Sequence, residues 1–255
     1  MAKKRISDVL IEVLANAGIE RIYGITGDSL NSVNDSLRRN GKIQFEHVRH
    51  EESAAFSAGA EALLTGKLTV CAGSSGPGNL HLINGLFDCH RNRVPVLAIA
   101  SHIPQSEVGL NYFQETHPEN LFKECSCFCE LVSNPKQIPE ILFRAMNAAI
   151  GNRDVAVIVL PGDVAVMETE IDELPTWHAP KLPRVIPQSE DILEMVQHIN
   201  NGKRITLFCG AGCAGAHDEV VELATKLQAP VVHAFRGKAW VEWDNPYDVG
   251  MTGLL

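Results

Sequence analysis

The sequence predicts an α/β fold built on a parallel sheet. Short apolar runs at residues 43–48, 68–72 and 94–100 alternate with two stretches of helical pattern. A strand–helix–strand–helix–strand order in so few residues is typical of parallel βαβ units. Helix N-termini leave backbone N–H groups unpaired, so ligands of such sheets bind where strands end and helices begin. The beginnings of the two helices, Glu51-Glu52 and residues 76–79, are therefore expected to lie at a functional site.

Length and composition are typical of a globular protein with one large or two modest domains. The chain has 255 residues, of which 45% are hydrophobic and 21% charged. A net charge of -9 argues against nucleic acid as the main partner. No apolar stretch reaches the ~18 residues of a membrane span, and residues 1–5 are not followed by the apolar core of a signal peptide. We expect a cytoplasmic protein.

The cysteines are expected to be buried free thiols in a reducing compartment. Seven are present, and the alternation of Cys125, Cys127 and Cys129 predicts that these three share one face of a strand. Zinc ligands usually come as C-x-x-C pairs, so this spacing is a weak metal signal. We therefore predict no metal site formed by this chain's own residues.

The elements before the first apolar run follow from periodicity and turn residues. A one-sided apolar stripe predicts a helix over residues 6–17, which Gly18 ends. A short strand at residues 21–25 leads into a second helix that extends to about residue 39, with Asp28 or Ser29 as its N-cap. The turn at Thr26-Gly27 is either a capped loop or a backbone contact with a ligand, and the sequence leaves both interpretations open.

The two central helices carry small residues and a glycine-rich start. Residues 53–64 hold five alanines and a glycine on the predicted helix faces, which allows close approach to a neighbouring helix or to another subunit. Residues 73–79 read Gly-Ser-Ser-Gly-Pro-Gly-Asn, in which Pro77 suits the first turn of a helix. No Lys follows, so this is not a nucleotide-phosphate loop, and contact with a planar or neutral ligand is expected.

The first domain is predicted to end near residue 167. Residues 101–118 have little periodicity and predict an ordered surface loop that contains Phe113 and Gln114. A helix over residues 135–150 and a buried strand over residues 155–160 follow. We therefore predict a first domain of residues 1–167 with about six strands.

A proline-rich linker, residues 168–188, is predicted to lead to a second domain at residues 189–255. Its glycines, Gly210, Gly212 and Gly215, form G-x-G-x-x-G between a strand at residues 204–209 and a helix at residues 217–227. The strand at residues 230–234 is followed by Arg236-Gly237-Lys238 instead of an acidic residue, which favours a diphosphate over NAD. With so few strands, this piece is expected to end inside a domain and to belong to a longer protein.

Several motifs together resemble a known enzyme superfamily. They are Arg49-His50-Glu51-Glu52, residues 73–85, Tyr112-Phe113-Gln114-Glu115, residues 210–217 and residues 245–254. The sequence resembles the thiamine-diphosphate-dependent decarboxylases, and within them the flavin-dependent pyruvate oxidases, a group that includes pyruvate dehydrogenase (quinone). The resemblance implies a pyrimidine-binding domain followed by the start of a Rossmann-like FAD-binding domain. A third domain, which binds the diphosphate through Mg²⁺, is expected outside this sequence.

The resemblance also implies roles for individual residues. The carboxyl group of Glu51 would hydrogen-bond the aminopyrimidine of thiamine diphosphate, which requires a carboxyl that is protonated or shares a proton. Pyrimidine contacts and nearby residues would be Thr26, Gly27, Ser74, Pro77, His81 and Gln114, and Phe113 would pack near the flavin or substrate. FAD would be lined by Gly210, Gly212, Arg236, Gly237, Lys238, Met251, Thr252, Gly253 and Leu254.

The implied reaction is the oxidative decarboxylation of a small 2-oxo acid, pyruvate, to acetate and CO₂, with electrons passing to FAD and then to a quinone. A homo-oligomer, dimer or tetramer, is implied for the full-length protein. The resemblance also implies that full-length relatives can associate peripherally with the inner face of the membrane, which is not argued for this sequence.

Two other interpretations stay open. An acetohydroxyacid-synthase-like carboligase shares most motifs, although Asn79-Leu80-His81 stands where Ala-Thr-Asn is expected in the synthases. A non-catalytic remnant would also fit, because the active site of this superfamily needs the diphosphate domain of another subunit. We accordingly expect residues 1–255 alone to bind thiamine diphosphate poorly and to turn over nothing.

Overall fold

The computed structural model describes residues 2–171 and 174–252, and two predicted flavin residues, Gly253 and Leu254, lie outside this part. The chain divides into two compact units, Met1–Pro183 and Arg184–Leu255. In the described part of the chain, no helix is long and apolar enough to cross a membrane.

The first unit alternates strands and helices for most of its length. Its elements are β1 (Ala2–Arg5), α1 (Ile6–Asn16), β2 (Arg21–Gly24), α2 (Asn31–Asn40), β3 (Gln44–His47), α3 (Glu51–Thr65), β4 (Thr69–Gly73), α4 (Pro77–Asn92), β5 (Val96–His102), α5 (Pro118–Leu121), β6 (Phe128–Leu131), α6 (Ile138–Asn152), β7 (Val155–Pro161), α7 (Gly162–Val166) and β8 (Glu168–Ile171).

Six of these strands form one parallel sheet in the order β3-β2-β4-β5-β7-β6. The predicted α/β fold with a parallel sheet is confirmed. All seven residues of β5 and all seven of β7 are buried. This is the expected pattern for central parallel strands that helices cover on both faces.

The two faces of the sheet carry separate apolar cores because side chains alternate along each strand. Leu97 and Ile99 of β5 belong to the core that includes buried residues of α1, α2 and α6. Val96 and Ala98 belong to the opposite core, which includes buried residues of α3 and α4. This second core places the beginnings of α3 and α4 side by side at the carboxyl edge of the sheet.

The small residues of α3 pack against α4. Ala55 and Ala58 are fully buried, and a Cβ added to Gly85 of α4 would lie 2.6 Å from the Ala55 Cβ. Of the two partners left open by the sequence, the neighbouring helix is the one seen here. The contact is close enough that only glycine fits at position 85 without a shift.

Three sequence expectations differ from the structure of the first unit. Residues 2–5 and 168–171 pair as an antiparallel two-stranded sheet, β1 with β8, so the predicted linker begins with a strand. The predicted helix before residue 39 starts as a separate turn, Asp28–Leu30, and no side chain caps α2. The boundaries of the two predicted domains otherwise stay predictions.

The cysteine prediction is partly wrong. All seven cysteines are free, but Cys127 is exposed, and only Cys129 of the alternating three lies in a strand, β6. Cys125 and Cys127 precede β6 in the turn that follows α5, so no common strand face holds the three. Burial raises the pKa of Cys89 to about 12 and that of Cys125 to about 11, so these two thiols stay protonated at neutral pH.

The second unit is a smaller α/β arrangement. Its elements are α8 (Ser189–Asn201), β9 (Leu207–Cys209), α9 (His217–Leu227), β10 (Val231–His233), α10 (Lys238–Val241) and β11 (Asp248–Met251). The strands form a parallel sheet in the order β11-β10-β9. The sequence predicted β9 and β10 but missed β11, which holds the predicted flavin residue Met251.

Candidate functional site

Glu51 is the first residue of α3 and is buried although it carries a carboxyl group, with 8% of the residue exposed. The preceding residue, His50, has extended backbone and caps the helix. Its Nδ1 accepts a hydrogen bond of 3.3 Å from the backbone N–H of Glu52. The turn between β3 and α3 therefore directs the Glu51 carboxyl inward at the carboxyl edge of the sheet, where ligands of parallel sheets bind.

His81 of α4 contacts this carboxyl group directly. Its Nδ1 lies 2.9 Å from Glu51 Oε2, so that the two groups share a hydrogen bond. The His81 ring also stacks on the His50 ring, with centroids 4.2 Å apart. The structure thus brings together two residues predicted from the sequence and adds His50, which the sequence analysis quoted in a motif but did not select as a site residue.

The second carboxyl oxygen, Glu51 Oε1, faces Gly78 in the first turn of α4. A Cβ at Gly78 would lie 3.3 Å from this oxygen and 3.3 Å from the Ser74 Cβ. Such contacts are tighter than ordinary van der Waals packing, so a side chain at position 78 would crowd the carboxyl. Glycine therefore keeps the space beside Oε1 open.

Gln114 lies against the loop between β4 and α4. Gly76 has a φ of +66°, and a Cβ there would lie 2.8 Å from the Gln114 Cβ. The Ser75 hydroxyl donates a hydrogen bond of 3.3 Å to Gln114 Oε1. Pro77 is the first residue of α4, as predicted. The glycine is needed at position 76 because its backbone is left-handed and because residue 114 approaches so closely.

Ser29 joins the loop after β2 to the loop after β4. Its Oγ accepts a hydrogen bond of 2.9 Å from the Ser75 backbone N–H and lies 3.0 Å from the Ser74 Oγ. Ser29 is therefore not the helix cap that the sequence suggested. Its hydroxyl bridges two loops, and Gly27 lies directly against the Ser74 side chain, where a Cβ would overlap it.

A buried polar network behind these loops was missed by the sequence analysis. Asn79 is fully buried, and its Nδ2 donates a hydrogen bond of 2.7 Å to the Ser101 carbonyl at the end of β5. The Ser101 hydroxyl in turn donates to the Ser29 carbonyl at 2.6 Å. Asn79 Oδ1 has no hydrogen-bond partner among the described residues. The network joins the start of α4 to the end of β5 and to the turn after β2. Its only sequence signal was the Gly-Asn pair at the start of α4.

A cavity of about 290 Å³ lies beside the loop that follows β5. Its lining includes His102, Thr116, Glu119 and Leu131. Burial lowers the pKa of His102, so this imidazole is neutral at pH 7. His102 Nδ1 and Thr116 Oγ1 have no hydrogen-bond partner within the described residues. No sequence pattern pointed to this cavity, because its walls come from separate loops.

Two other predicted residues of the first unit, Thr26 and Phe113, are exposed. Thr26 is exposed next to Gly27. Phe113 is 79% exposed, so its side chain lies outside both apolar cores. Their contacts with cofactor or substrate stay predictions.

The predicted flavin residues cluster around the strand ends of the second unit. Gly210 and Gly212 lie in the turn after β9, where a Cβ would meet nothing within 4 Å. Gly237 packs against the Cys209 carbonyl, and a Cβ there would overlap it. Lys238 is exposed and pairs with Glu242 at 2.8 Å, and Arg236 is exposed.

The end of β11 lies next to β10. The backbone N–H of Thr252 donates a hydrogen bond of 3.1 Å to the His233 carbonyl, and Met251 is 42% exposed. Met251 and Thr252 therefore lie at the same sheet edge as the turn after β9, because the three strands are parallel.

Comparisons with known proteins identify the class to which this arrangement belongs. The model described as "Thiamine pyrophosphate enzyme, N-terminal TPP binding domain" matches residues 4–121. The model of the central domain of the same family matches residues 192–255. The chain belongs to the thiamine pyrophosphate enzyme family.

Individual relatives differ in what their names state. The chain is 60% identical over its whole length to an uncharacterized 42.6 kDa protein of Pseudomonas amyloderamosa, of which it covers 65%. It is 31% identical to a pyruvate oxidase of Lactiplantibacillus plantarum, with 96% of this chain and 41% of the relative covered. It is 32% identical to an acetolactate synthase of Arthrospira platensis, with 100% of this chain and 46% of the relative covered. The chain thus spans between 41% and 65% of the length of these relatives.

The residues around Glu51 fit the aminopyrimidine of the cofactor that gives the family its name. A neutral heterocycle with ring nitrogens needs a hydrogen-bonding carboxyl and a space without side chains beside it. Glu51 supplies the carboxyl, and Gly78 supplies the space.

Proposed function

We propose that this chain forms the pyrimidine-binding part of a thiamine-diphosphate- and FAD-dependent pyruvate oxidase. The observation that supports it best is the buried carboxyl of Glu51, which is fixed through Oε2 by His81 and open at Oε1 beside Gly78. A carboxyl placed in this way can exchange a proton with a ring nitrogen.

Each residue of the site has a separate task in this proposal. Glu51 holds or accepts a proton at its carboxyl, His81 orients that carboxyl, and Gly78 leaves room for the ring. Thr26, Gly27, Ser74, Pro77 and Gln114 form the surrounding wall, with Phe113 toward the flavin or substrate. When bound, thiamine diphosphate supplies an electron sink for the decarboxylation of a 2-oxo acid.

FAD is proposed as the electron acceptor in the second unit. The support is a strand, a glycine-containing turn and a helix in the order β9, Gly210–Gly212 and α9. Two basic residues, Arg236 and Lys238, follow the next strand and suit a diphosphate. Gly237, Met251, Thr252, Gly253 and Leu254 complete the proposed set. The electrons would pass to a quinone, Mg²⁺ would bind with the diphosphate, and the protein would be a homo-oligomer.

A carboligase that joins two 2-oxo acids is the second candidate. An acetolactate synthase is as similar to this chain as a pyruvate oxidase is, at 32% and 31% identity. The Asn79-Leu80-His81 sequence favours the oxidase, because His81 contacts the Glu51 carboxyl directly and an Asn in its place would be shorter.

The test uses the protein as its host makes it, purified and supplied with thiamine diphosphate, Mg²⁺, FAD and pyruvate. The expected products are acetate and CO₂ with reduction of a dye or quinone. Acetolactate as the product would identify the carboligase instead, and absence of both products would refute both candidates.

The role of Glu51 is tested by Glu51→Gln, which keeps the size and removes the ionisable proton. We expect at least a ~100-fold loss of turnover, the usual scale for removal of an acid–base group, with an unchanged circular dichroism spectrum. Glu52→Gln is the matched control, because this neighbouring carboxyl lies outside the proposed site. Full activity of Glu51→Gln would refute the assignment.

A further inference from the structure

We propose that His50, Glu51 and His81 form a binding site for a divalent transition-metal ion of the zinc class. Each of the three residues offers one ligand atom, and these atoms all lie within 4.8 Å of one another. Two imidazoles and one carboxylate are a ligand set that zinc uses in sites with an open fourth position. This inference goes beyond the proposed function, which requires no metal at these residues.

The geometry needs only small side-chain movements. Zinc bonds of about 2.0–2.2 Å with tetrahedral angles place ligand atoms roughly 3.3–3.5 Å apart. The 2.9 Å contact between His81 Nδ1 and Glu51 Oε2 would open slightly, and the His50 nitrogen would move inward. His50 is exposed and the His81 side chain is 44% exposed, whereas that of Glu51 is 11% exposed. The two rings can therefore rotate toward a carboxylate that stays fixed.

The present contacts of the three residues are ones that a metal can replace. His50 and His81 already stack with centroids 4.2 Å apart, and a ring nitrogen of each lies within 4.8 Å of a Glu51 carboxyl oxygen. Metal binding would exchange the hydrogen bond between His81 and Glu51 for two metal–ligand bonds. If the His50 ring had to rotate, its Nδ1 would lose the 3.3 Å hydrogen bond that it accepts from the Glu52 N–H.

The ligand types select the metal. Imidazole nitrogen suits Zn²⁺, Co²⁺, Ni²⁺ and Cu²⁺, whereas Mg²⁺ requires oxygen ligands in octahedral geometry. The site would therefore discriminate against the Mg²⁺ that accompanies the diphosphate. A consequence, which rests on the proposed function, is that a bound zinc ion would occupy the carboxyl needed by the aminopyrimidine and would inhibit cofactor binding.

The test is a titration of the metal-stripped chain with Zn²⁺ by calorimetry and with Co²⁺ by visible absorption, without thiamine diphosphate. We expect one high-affinity ion per chain, intense absorption bands typical of four-coordinate Co²⁺, and no competition from Mg²⁺. His50→Asn, Glu51→Gln and His81→Asn should each weaken Zn²⁺ binding at least tenfold. His47→Asn is the matched control, because His47 is an exposed histidine three residues before His50 that is not part of the cluster.

Wild-type affinity in His50→Asn and His81→Asn, or equal weakening in His47→Asn, would overturn the proposal. Folding is checked by circular dichroism, and Asn at position 50 can still cap α3. His81→Asn alters an exposed side chain and decides the question if Glu51→Gln does not fold. Because the titration contains no cofactor, its result is independent of whether the chain binds thiamine diphosphate.

Discussion

At the scale of single residues, one group of polar side chains shapes the candidate site and another stabilises the fold. The hydrogen bond between Glu51 and His81 joins two polar residues at the carboxyl edge of the sheet. A second polar group, formed by Arg5, Asp8, Asp35 and Arg39, ties β1 and α1 to α2. The Glu51–His81 pair depends on the burial of a carboxyl group, whereas the group around Asp35 depends on attraction between opposite charges.

The charged group of Arg5, Asp8, Asp35 and Arg39 is expected to make the stability of the fold sensitive to acid. Hydrogen bonds from Arg5, Arg38 and Arg39 hold the pKa of Asp35 well below its usual range. Burial alone would raise the pKa of Asp8, but bonds from Ser36 and two arginines outweigh it and lower that pKa. Both carboxylates therefore stabilise the fold above their unfolded pKa of about 3.9, and this stabilisation is lost as the pH falls through the lowered values.

We expect Asp35→Asn to lower the free energy of unfolding at pH 7, because three arginines lose their shared acceptor. The deficit relative to wild type should shrink as the pH falls below about 4. Urea unfolding at pH 7 and at pH 3 measures it. Asp88→Asn is the control, since Asp88 is an exposed carboxylate of α4, and its effect should be small at both pH values. An equal deficit at both pH values for Asp35→Asn would contradict the electrostatic explanation.

At the scale of elements, the distance between α3 and α4 sets the geometry of the candidate site. Glu51 begins one helix, while Gly78 and His81 lie in the first two turns of the other. The closest approach is at Gly85, where an added Cβ would lie 2.6 Å from the Ala55 Cβ and 2.8 Å from the Glu52 carbonyl. A larger residue there must push the helices apart.

Gly85→Ala is therefore expected to destabilise the chain by about 1–3 kcal/mol, the usual cost of overpacking. Gly151→Ala is the matched control in α6, where an added Cβ meets nothing within 4 Å. It should be neutral or stabilising by up to about 1 kcal/mol, because alanine is the better helix former. Urea unfolding followed by circular dichroism compares the two, and a Gly85→Ala variant as stable as wild type would show that α3 and α4 can separate freely.

At the scale of the whole molecule, the chain consists of two compact units joined by an exposed segment. Residues 174–188 contain no helix or strand, and residues 181–188 are all exposed. Exposed backbone without regular hydrogen bonds is where proteases cut first. The segment offers trypsin Lys181 and Arg184.

Limited proteolysis with trypsin should thus cut first after Lys181 or Arg184 and release a fragment that holds β1–β8. Mass spectrometry of the early products identifies the bond. Lys181→Gln combined with Arg184→Gln should slow the first cleavage severalfold without altering circular dichroism. First cuts inside the six-stranded sheet would contradict the division into two units.

Much of this organisation could be predicted from local patterns. The apolar runs predicted the central strands, and Pro77 predicted the start of α4, because strand periodicity and helix-start chemistry act over a few residues. The same local reasoning missed β1, β8 and β11, which are short and have no alternating pattern that stands out from a loop. It also placed three cysteines on one strand face, although the chain turns before β6.

The sequence by itself determined the order of strands and helices, the glycine-rich start of α4 and the acidic start of α3, since each depends on neighbouring residues. Only the tertiary structure decided that His81 contacts Glu51, that Ser29 bridges to Ser74 and Ser75, and that β1 pairs with β8. These contacts join residues that are 30 or more positions apart. The contacts of His81 and Ser29 exist because parallel strands deliver their following loops to one edge of the sheet. The β1–β8 pairing joins the two ends of the first unit as a separate antiparallel ladder, and no local periodicity contains either proximity.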